Sequence, residues 1–184
     1  MAVEIKLLPS KIFLADFKGA YERYIEELYK VFKRDFMDRP PFFGKHQLRL
    51  KKHPLVQGRA YTFYHMTHCG SDEKNRIPDM RRCECLPWGK PTIEKVTEYS
   101  LRFWPQTRRG KNRICIWLET DTDEHYFFIL DVRKNYILPW TAFVAEHDHQ
   151  IEKKRKEYQG WLADQHGQVY TPDTLVNKIV QSVK

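Results

Sequence analysis

Hydrophobic positions recur at spacings of three and four through Leu14, Phe17, Tyr21, Tyr24, Ile25, Leu28, Phe32 and Phe36. One apolar stripe of this kind predicts a long helix over Lys11–Met37. Glu26 and Lys30, four apart on the other face, support it. Pro40-Pro41 ends it, because proline lacks the donor and pushes the preceding residue out of helical space. From Ser100 the period changes to two. SLRFWPQ, NRICIWLETD, HYFFILDVR and YILPWTAFVA read as four strands, separated by turn residues at Arg109-Gly110-Lys111-Asn112 and Lys134-Asn135. Connections this short give an antiparallel sheet, most simply a meander.

Between helix and sheet the pattern is less regular. Arg59–His68 is rich in aromatics and threonine and predicts a strand or an irregular extended segment. Pro78 opens a short helix, interrupted at Pro87 and resuming near Thr92. Residues 146–162 read as a helix whose Lys153-Lys154-Arg155-Lys156 run is a solvated face. Thr171-Pro172-Asp173 starts a final amphipathic helix through Leu175, Val176, Ile179, Val180 and Val183. Helices, then a sheet, then helices make an α+β fold. Three segments follow: residues 1–54 as an N-terminal helical segment, 55–145 as the core and 146–184 as C-terminal helices, packed as one compact unit.

The 184 residues carry a net charge of +8, which favours a nucleic acid or an anionic surface as partner. No run approaches the roughly 18 apolar residues a spanning helix needs. The N-terminus also lacks the pattern of a signal peptide. The expectation is a cytoplasmic protein with no membrane partner, whose four cysteines are reduced thiols or metal ligands.

The charge is unevenly spread. From Arg39 to Ser71 there is no carboxylate, while Arg39, Lys45, Arg49, Lys51, Lys52 and Arg59 are basic and His46, His53, His65 and His68 are four of the eight histidines. A second acid-free stretch, Tyr99 to Leu118, holds Arg102, Arg108, Arg109, Lys111 and Arg113. Cations neutralise phosphates, rings accept stacked bases, and imidazole trades protons near neutral pH. RNA-binding candidates are therefore Arg49, Lys51, Lys52, His53, Arg59, Arg76, Arg81 and Arg102. Strand alternation places Arg102 and Arg113 on a defined sheet face, where Trp104 or Trp117 would offer a stacking surface.

His65, Arg76, Arg81, Arg82 and Glu84 form the first chemical constellation. Metal-free RNA cleavage needs a base for the ribose 2′-hydroxyl, an acid for the 5′-oxygen and fixed donors for the developing phosphorane charge, and a histidine with arginines supplies most of that. The bland alternative pairs Arg81 and Arg82 with Asp79 and Glu84 along a short helix. Thr141 reads either as a strand former or as a hydroxyl near a phosphate. A competing zinc constellation, His65-Met-Thr-His68-Cys69 with Cys83-Glu-Cys85, has poor spacing, because one residue separates the cysteines. No metal or cofactor is expected, and no GxxxxGK[ST], GxGxxG, HExxH or GxSxG occurs.

Phe63-Tyr-His65, the run Arg82-Cys-Glu-x-x-x-Trp88 and a meander closing on Leu138-x-x-Thr141-Ala142 together resemble the phage and prophage nucleases grouped with barnase, EndoU, colicin tRNases and RelE. The resemblance covers about residues 55–145. It implies a metal-independent RNA-cleaving toxin or effector acting on tRNA, mRNA or rRNA, with an antitoxin or immunity protein as second partner. Carried over, His65 is the proton-transfer histidine, Arg82 and Arg113 hold the phosphate, and Thr141 orients one of its oxygens. Glu84 orients Arg82 or shares proton transfer, and His53 or His68 is the second proton-transfer group. Cys85 stands where the pattern often has a basic residue, which implies altered activity. On this reading Arg82→Ala abolishes cleavage and leaves the fold intact. The alternatives are a non-catalytic RNA- or DNA-binding module and a protein that docks a partner through its final helix.

Overall fold

The structure is a computed structural model describing residues 2–108 and 110–182. Arg109 and Val183 lie outside the described residues, as does the side chain of Arg108. The N-terminal apolar stripe is carried by two helical pieces instead of one. A 3-10 turn at Leu14–Phe17 ends at Lys18 (φ 53°) and Gly19 (φ 76°), and helix α1 starts afresh at Tyr21 and runs to Phe32. A left-handed pair ending in glycine reverses the chain at little cost. Both pieces still face one core: the Phe17 and Tyr24 rings lie 5.7 Å apart, and the Tyr24 hydroxyl donates to the Ile12 carbonyl at 2.8 Å. α1 widens into a π-helical turn over Lys33–Asp38 before the two prolines. Lys30 pairs with Glu27 at 3.3 Å, not with Glu26. A small hairpin follows, β1 (Phe42–Phe43) with β2 (His46–Gln47).

The segment expected to be extended is instead helix α2, Tyr61–Thr67. Its residues Thr62 to Thr67 are all buried. Such all-round burial overrides the strand preference of threonine and aromatics. Phe63 packs edge-on against Tyr29 (5.0 Å) and Phe32 (5.3 Å) of α1. The first amides of α2 find partners outside the helix: Tyr61 N–H donates to the Lys52 carbonyl (2.9 Å) and Thr62 N–H to that of Lys51 (3.1 Å). β3 (His68–Cys69) and β4 (Ile77–Pro78) then form a hairpin. Asp79 caps α3 (Met80–Glu84) by accepting from the Arg82 N–H at 3.2 Å. A 3-10 turn at Leu86–Trp88 leads into α4, Gly89–Glu94.

The sheet is the expected meander: β5 (Arg102–Arg108), β6 (Lys111–Glu119), β7 (His125–Val132) and β8 (Ile137–Ala145) pair antiparallel in chain order. Alternation splits β6 between two apolar layers. Ile114, Ile116 and Leu118 join the larger core with α1, α2 and the terminal helix α6 (Pro172–Ser182). Cys115 and Trp117 join Trp104, Phe127 and Ile129 in a smaller layer under α5 (Asp148–Asp164), which contributes Ile151, Tyr158 and Trp161. The larger core thus draws on all three sequence segments, from Val3 to Ile179. Trp104 and Trp117 are buried beneath α5, so neither ring accepts a stacked base from outside. Among the described residues, no helix is long and apolar enough to cross a membrane.

Candidate functional site: a basic cleft beside strand β8

β8 is an edge strand, and α2 and α3 pack against it. Its ladder with β7 slips once. Ile129 faces Thr141 and Leu130 faces Pro139, which leaves Trp140 as the extra residue of a bulge. Bulges on edge strands re-aim side chains, and proline is tolerated there because it has no amide to donate. A cleft of about 520 Å³ opens at this point, and its lining includes His65, Glu73, Arg76, Arg82, Arg113 and Thr141, with Lys111 and Trp140.

Arg82 is the hub of the cleft floor. Its Nε donates to Asp79 Oδ2 at 3.1 Å. Its Nη1 reaches Thr141 Oγ1 (3.0 Å) and the carbonyls of His68 (3.3 Å) and His65 (3.4 Å). The Thr141 hydroxyl donates in turn to the His65 carbonyl at 3.0 Å. These bonds satisfy carbonyls at the end of α2 that have no partner within the helix. Asp79 orients Arg82, a role the sequence suggested for Glu84. Glu84 is not among the described residues lining the cleft. The His65 carbonyl keeps Thr141 as a second donor, and the His68 carbonyl keeps Arg76 Nη1 at 3.4 Å, so the bonds that Arg82 alone supplies are those to Asp79 and Thr141.

His65 is almost fully buried, at 2% exposure, between the rings of Tyr61 (4.5 Å) and Trp140 (5.1 Å). Its Nε2 lies 2.8 Å from Glu73 Oε2. The same carboxylate accepts from the Tyr61 hydroxyl (2.9 Å) and from Arg76 Nη2 (3.0 Å). Glu73 is held in an Asx turn, in which Asp72 accepts from the Lys74 amide (3.0 Å) and the Asn75 side chain (2.6 Å). Burial, then the Arg76 charge, hold the His65 pKa below its ordinary value, against a smaller upward pull from Glu73. Burial pulls Glu73 up, but its bonds from Tyr61 and His65 and the Arg76 charge outweigh that and leave it below the usual carboxylate range. Near neutral pH the pair is therefore a neutral imidazole and an ionised carboxylate, and the carboxylate is the exposed partner, with 52% of its side chain accessible.

Arg113 projects from β6 with its guanidinium 4.7 Å over the Trp140 ring. Its ladder neighbour on β7 is Asp131, whose carboxylate pairs with Arg133 at 2.7 Å. Four cations and one carboxylate thus line the cleft, a balance that suits a phosphate diester.

The remaining candidates lie elsewhere. Arg81 pairs with Glu146 at 3.3 Å on the surface. Arg102 sits toward the far end of β6, bonded to Glu119 at 2.7 Å with its guanidinium 4.3 Å over Trp117. Lys51 Nζ stands 3.9 Å over the Tyr61 ring, while Lys52 and His53 are exposed. Arg59 closes a tight turn with Val56, and Arg49 faces Tyr136 at 5.5 Å. His68 is buried against Tyr64 (4.6 Å), and burial with the charges of Arg76 and Arg59 lowers its pKa to about 4. Neither His53 nor His68 is among the described lining residues. Cys83 and Cys85 belong to the core, where burial pushes both thiols up to about 12 and keeps them protonated. Glu73, Lys111 and Trp140 complete the cleft without having been proposed for it from sequence.

One other group of metal-type side chains exists among the described residues: Glu119, Asp123 and His125, with donor atoms within 4.8 Å of one another. The Trp117 indole N–H donates to His125 Nδ1 at 3.1 Å. The neutral ring therefore carries its proton on Nε2, which faces Asp123 at 3.3 Å. A metal needs a lone pair at that nitrogen, and Glu119 is already paired with Arg102, so hydrogen bonding accounts for the group.

No family model, no curated protein and no solved structure matches this chain.

Proposed function

We propose that the cleft beside β8 cleaves RNA without a metal. The observation that carries this reading is the convergence of an ionised Glu73, hydrogen-bonded to a neutral His65, with Arg76, Arg82, Lys111 and Arg113 in one cleft. Glu73, the accessible member of the pair, takes the proton of the ribose 2′-hydroxyl. His65 fixes its orientation and shares the proton. Arg76 and Arg113 meet the charge that develops on the phosphate oxygens, and as the P–O5′ bond breaks the Lys111 ammonium gives a proton to the leaving 5′-oxygen, which the proton taken up by Glu73 later restores through solvent. Arg82 and Thr141 are positioning residues that tie α2 and α3 to β8, and Trp140 offers a ring to a flanking base. Products carry a 2′,3′-cyclic phosphate and a 5′-hydroxyl. In line with the nuclease resemblance, the substrate is a cytoplasmic tRNA, mRNA or rRNA, and an antitoxin or immunity protein would cover the cleft.

The test is incubation with tRNA and total RNA in excess EDTA, with product ends mapped. Discrete fragments ending in cyclic phosphate support the reading. Intact RNA, with salt-sensitive binding of RNA and DNA of similar strength, favours a non-catalytic binding module. That second reading draws on one observation: the Arg82 bonds are internal to the fold.

A further inference from the structure

A second hollow, of about 470 Å³, lies where the β1–β2 hairpin, the β7–β8 turn and α6 meet. Lys45, His46, Arg49, Arg133 and Lys134 are among the residues that line it, and none of the described lining residues is a carboxylate. Tyr136 is exposed in its wall, with the Arg49 guanidinium 5.5 Å from the ring centroid. Asp173 stands beside it, accepting the Lys45 backbone N–H at 2.8 Å and lying 3.6 Å from His46. Arg133 is joined to Asp131, while Lys134 is exposed at the turn.

The chain that lines this hollow runs on, through residues 50–61, to the helix that carries His65 of the cleft. Arg49 N–H donates to the Ile137 carbonyl at 2.9 Å, which anchors the following residues beside β8. Lys51 and Lys52 then cap α2, and Lys51 Nζ sits over Tyr61, whose hydroxyl holds Glu73. Tyr136, just before β8, and Trp140 within it are four residues apart, a separation of about 13 Å at strand rise. Three cation–ring contacts involve these segments: Arg49 with Tyr136, Lys51 with Tyr61, and Arg113 with Trp140. Tyr136 is the exposed ring of the three, and an exposed ring beside cations suits a single strand.

We infer that the hollow is a remote subsite for single-stranded RNA. One base of a strand running out of the cleft stacks on the Arg49–Tyr136 platform, and its neighbouring phosphates lie against Lys45, Arg133 and Lys134. The inference rests on the RNA-cleaving reading of the cleft, because it takes the same strand to occupy both places.

Binding of fluorescent 2′-O-methyl oligonucleotides, which cannot be cleaved, tests it by anisotropy in EDTA. The protein should bind an octanucleotide more tightly than a dinucleotide. Tyr136→Ala should weaken the octanucleotide roughly 5- to 100-fold, the range for one lost base stack. It should leave the dinucleotide affinity as it was, and Tyr136→Phe, which keeps the ring, should restore tight binding. An octanucleotide affinity unchanged in Tyr136→Ala, or equally weakened in Tyr136→Phe, overturns the subsite. Circular dichroism checks that the variants fold. If the protein leaves ordinary RNA uncut yet shows the Tyr136-dependent gain, the cleavage reading falls and the subsite stands. If it cuts RNA and shows no such gain, the reverse holds.

Discussion

Two histidine–carboxylate pairs sit toward opposite ends of one sheet and share most of their parts. At one, His65 faces Glu73 and Trp140, and Arg113 lies over that tryptophan. At the other, His125 faces Asp123 and Trp117, and Arg102 lies over that tryptophan. Their surroundings separate them. Trp117 donates to His125 Nδ1, Glu119 neutralises Arg102, and the adjoining hollow of about 530 Å³ gathers Asp123, Asp148 and Glu152 against a single arginine, Arg155. Around His65 the balance is reversed, with four cations to one carboxylate. On the proposed reading a polyanion is drawn to the first and repelled by the second. The two pairs share a histidine beside a carboxylate, and the charge of the surrounding walls is what separates them.

The comparison breaks most visibly if both pairs matter equally for cleavage. Glu73→Gln should lower RNA cleavage by about 10²–10⁴-fold, the range for losing a positioned proton-transfer group. Asp123→Asn, at an exposed position, should leave the rate unchanged under the same assay. Arg113→Ala removes one preorganised cation and should cost about 10²–10³-fold in kcat.

Stability sharpens the contrast from another side. His68 has a folded pKa of about 4 against an ordinary 6.5. The unfolded chain takes up this proton first, so stability falls as pH drops from about 6.5 to about 4, by about 3 kcal/mol, and no further below that. Urea midpoints across this window measure it, and His68→Gln should flatten the slope. Arg82→Ala should lower stability by about 1 kcal/mol at neutral pH as well as slowing cleavage, because its bonds to Asp79 and Thr141 are lost while the His65 and His68 carbonyls keep Thr141 and Arg76 as donors. The smallest effect is expected at the far pair: Arg102→Gln breaks a half-exposed ion pair, costs less than about 1 kcal/mol, and leaves RNA affinity unchanged.

The sheet was legible because alternation on each strand and the short turns leave few other arrangements for residues 102–145. The final helix was legible from the Thr171-Pro172-Asp173 start. Two local readings went astray for physical reasons. Lys18 and Gly19 interrupt a periodic stripe with a left-handed turn, and periodicity records which side chains face the core, not whether the backbone between them is continuous. Tyr61–Thr67 is helical because both sides of it are covered, a fact of tertiary packing that a strand-prone composition hides. Within the cleft, His65, Arg76, Arg82, Arg113 and Thr141 were all singled out from sequence, and the fold brings them together. Glu73 escaped because it stands in a loop that reads only as a breaker, and its partner His65 is eight positions away. The turn signature of Asp72 with Asn75 was its one local sign. Trp140 escaped because a bulge, invisible to strict alternation, aims it at the site. The nuclease resemblance implied Glu84 as the residue that orients Arg82, but Asp79, the helix cap and the other acid the sequence offered as a partner, holds that arginine.

The most direct measurement compares cleavage of one RNA in excess EDTA by the parent protein, Glu73→Gln and Asp123→Asn, with product ends mapped. Cyclic-phosphate ends are expected from the parent and Asp123→Asn at equal rates, with at least a hundredfold loss in Glu73→Gln. Equal rates for the parent and Glu73→Gln, or cleavage that depends on Asp123, would contradict the proposed role of the cleft.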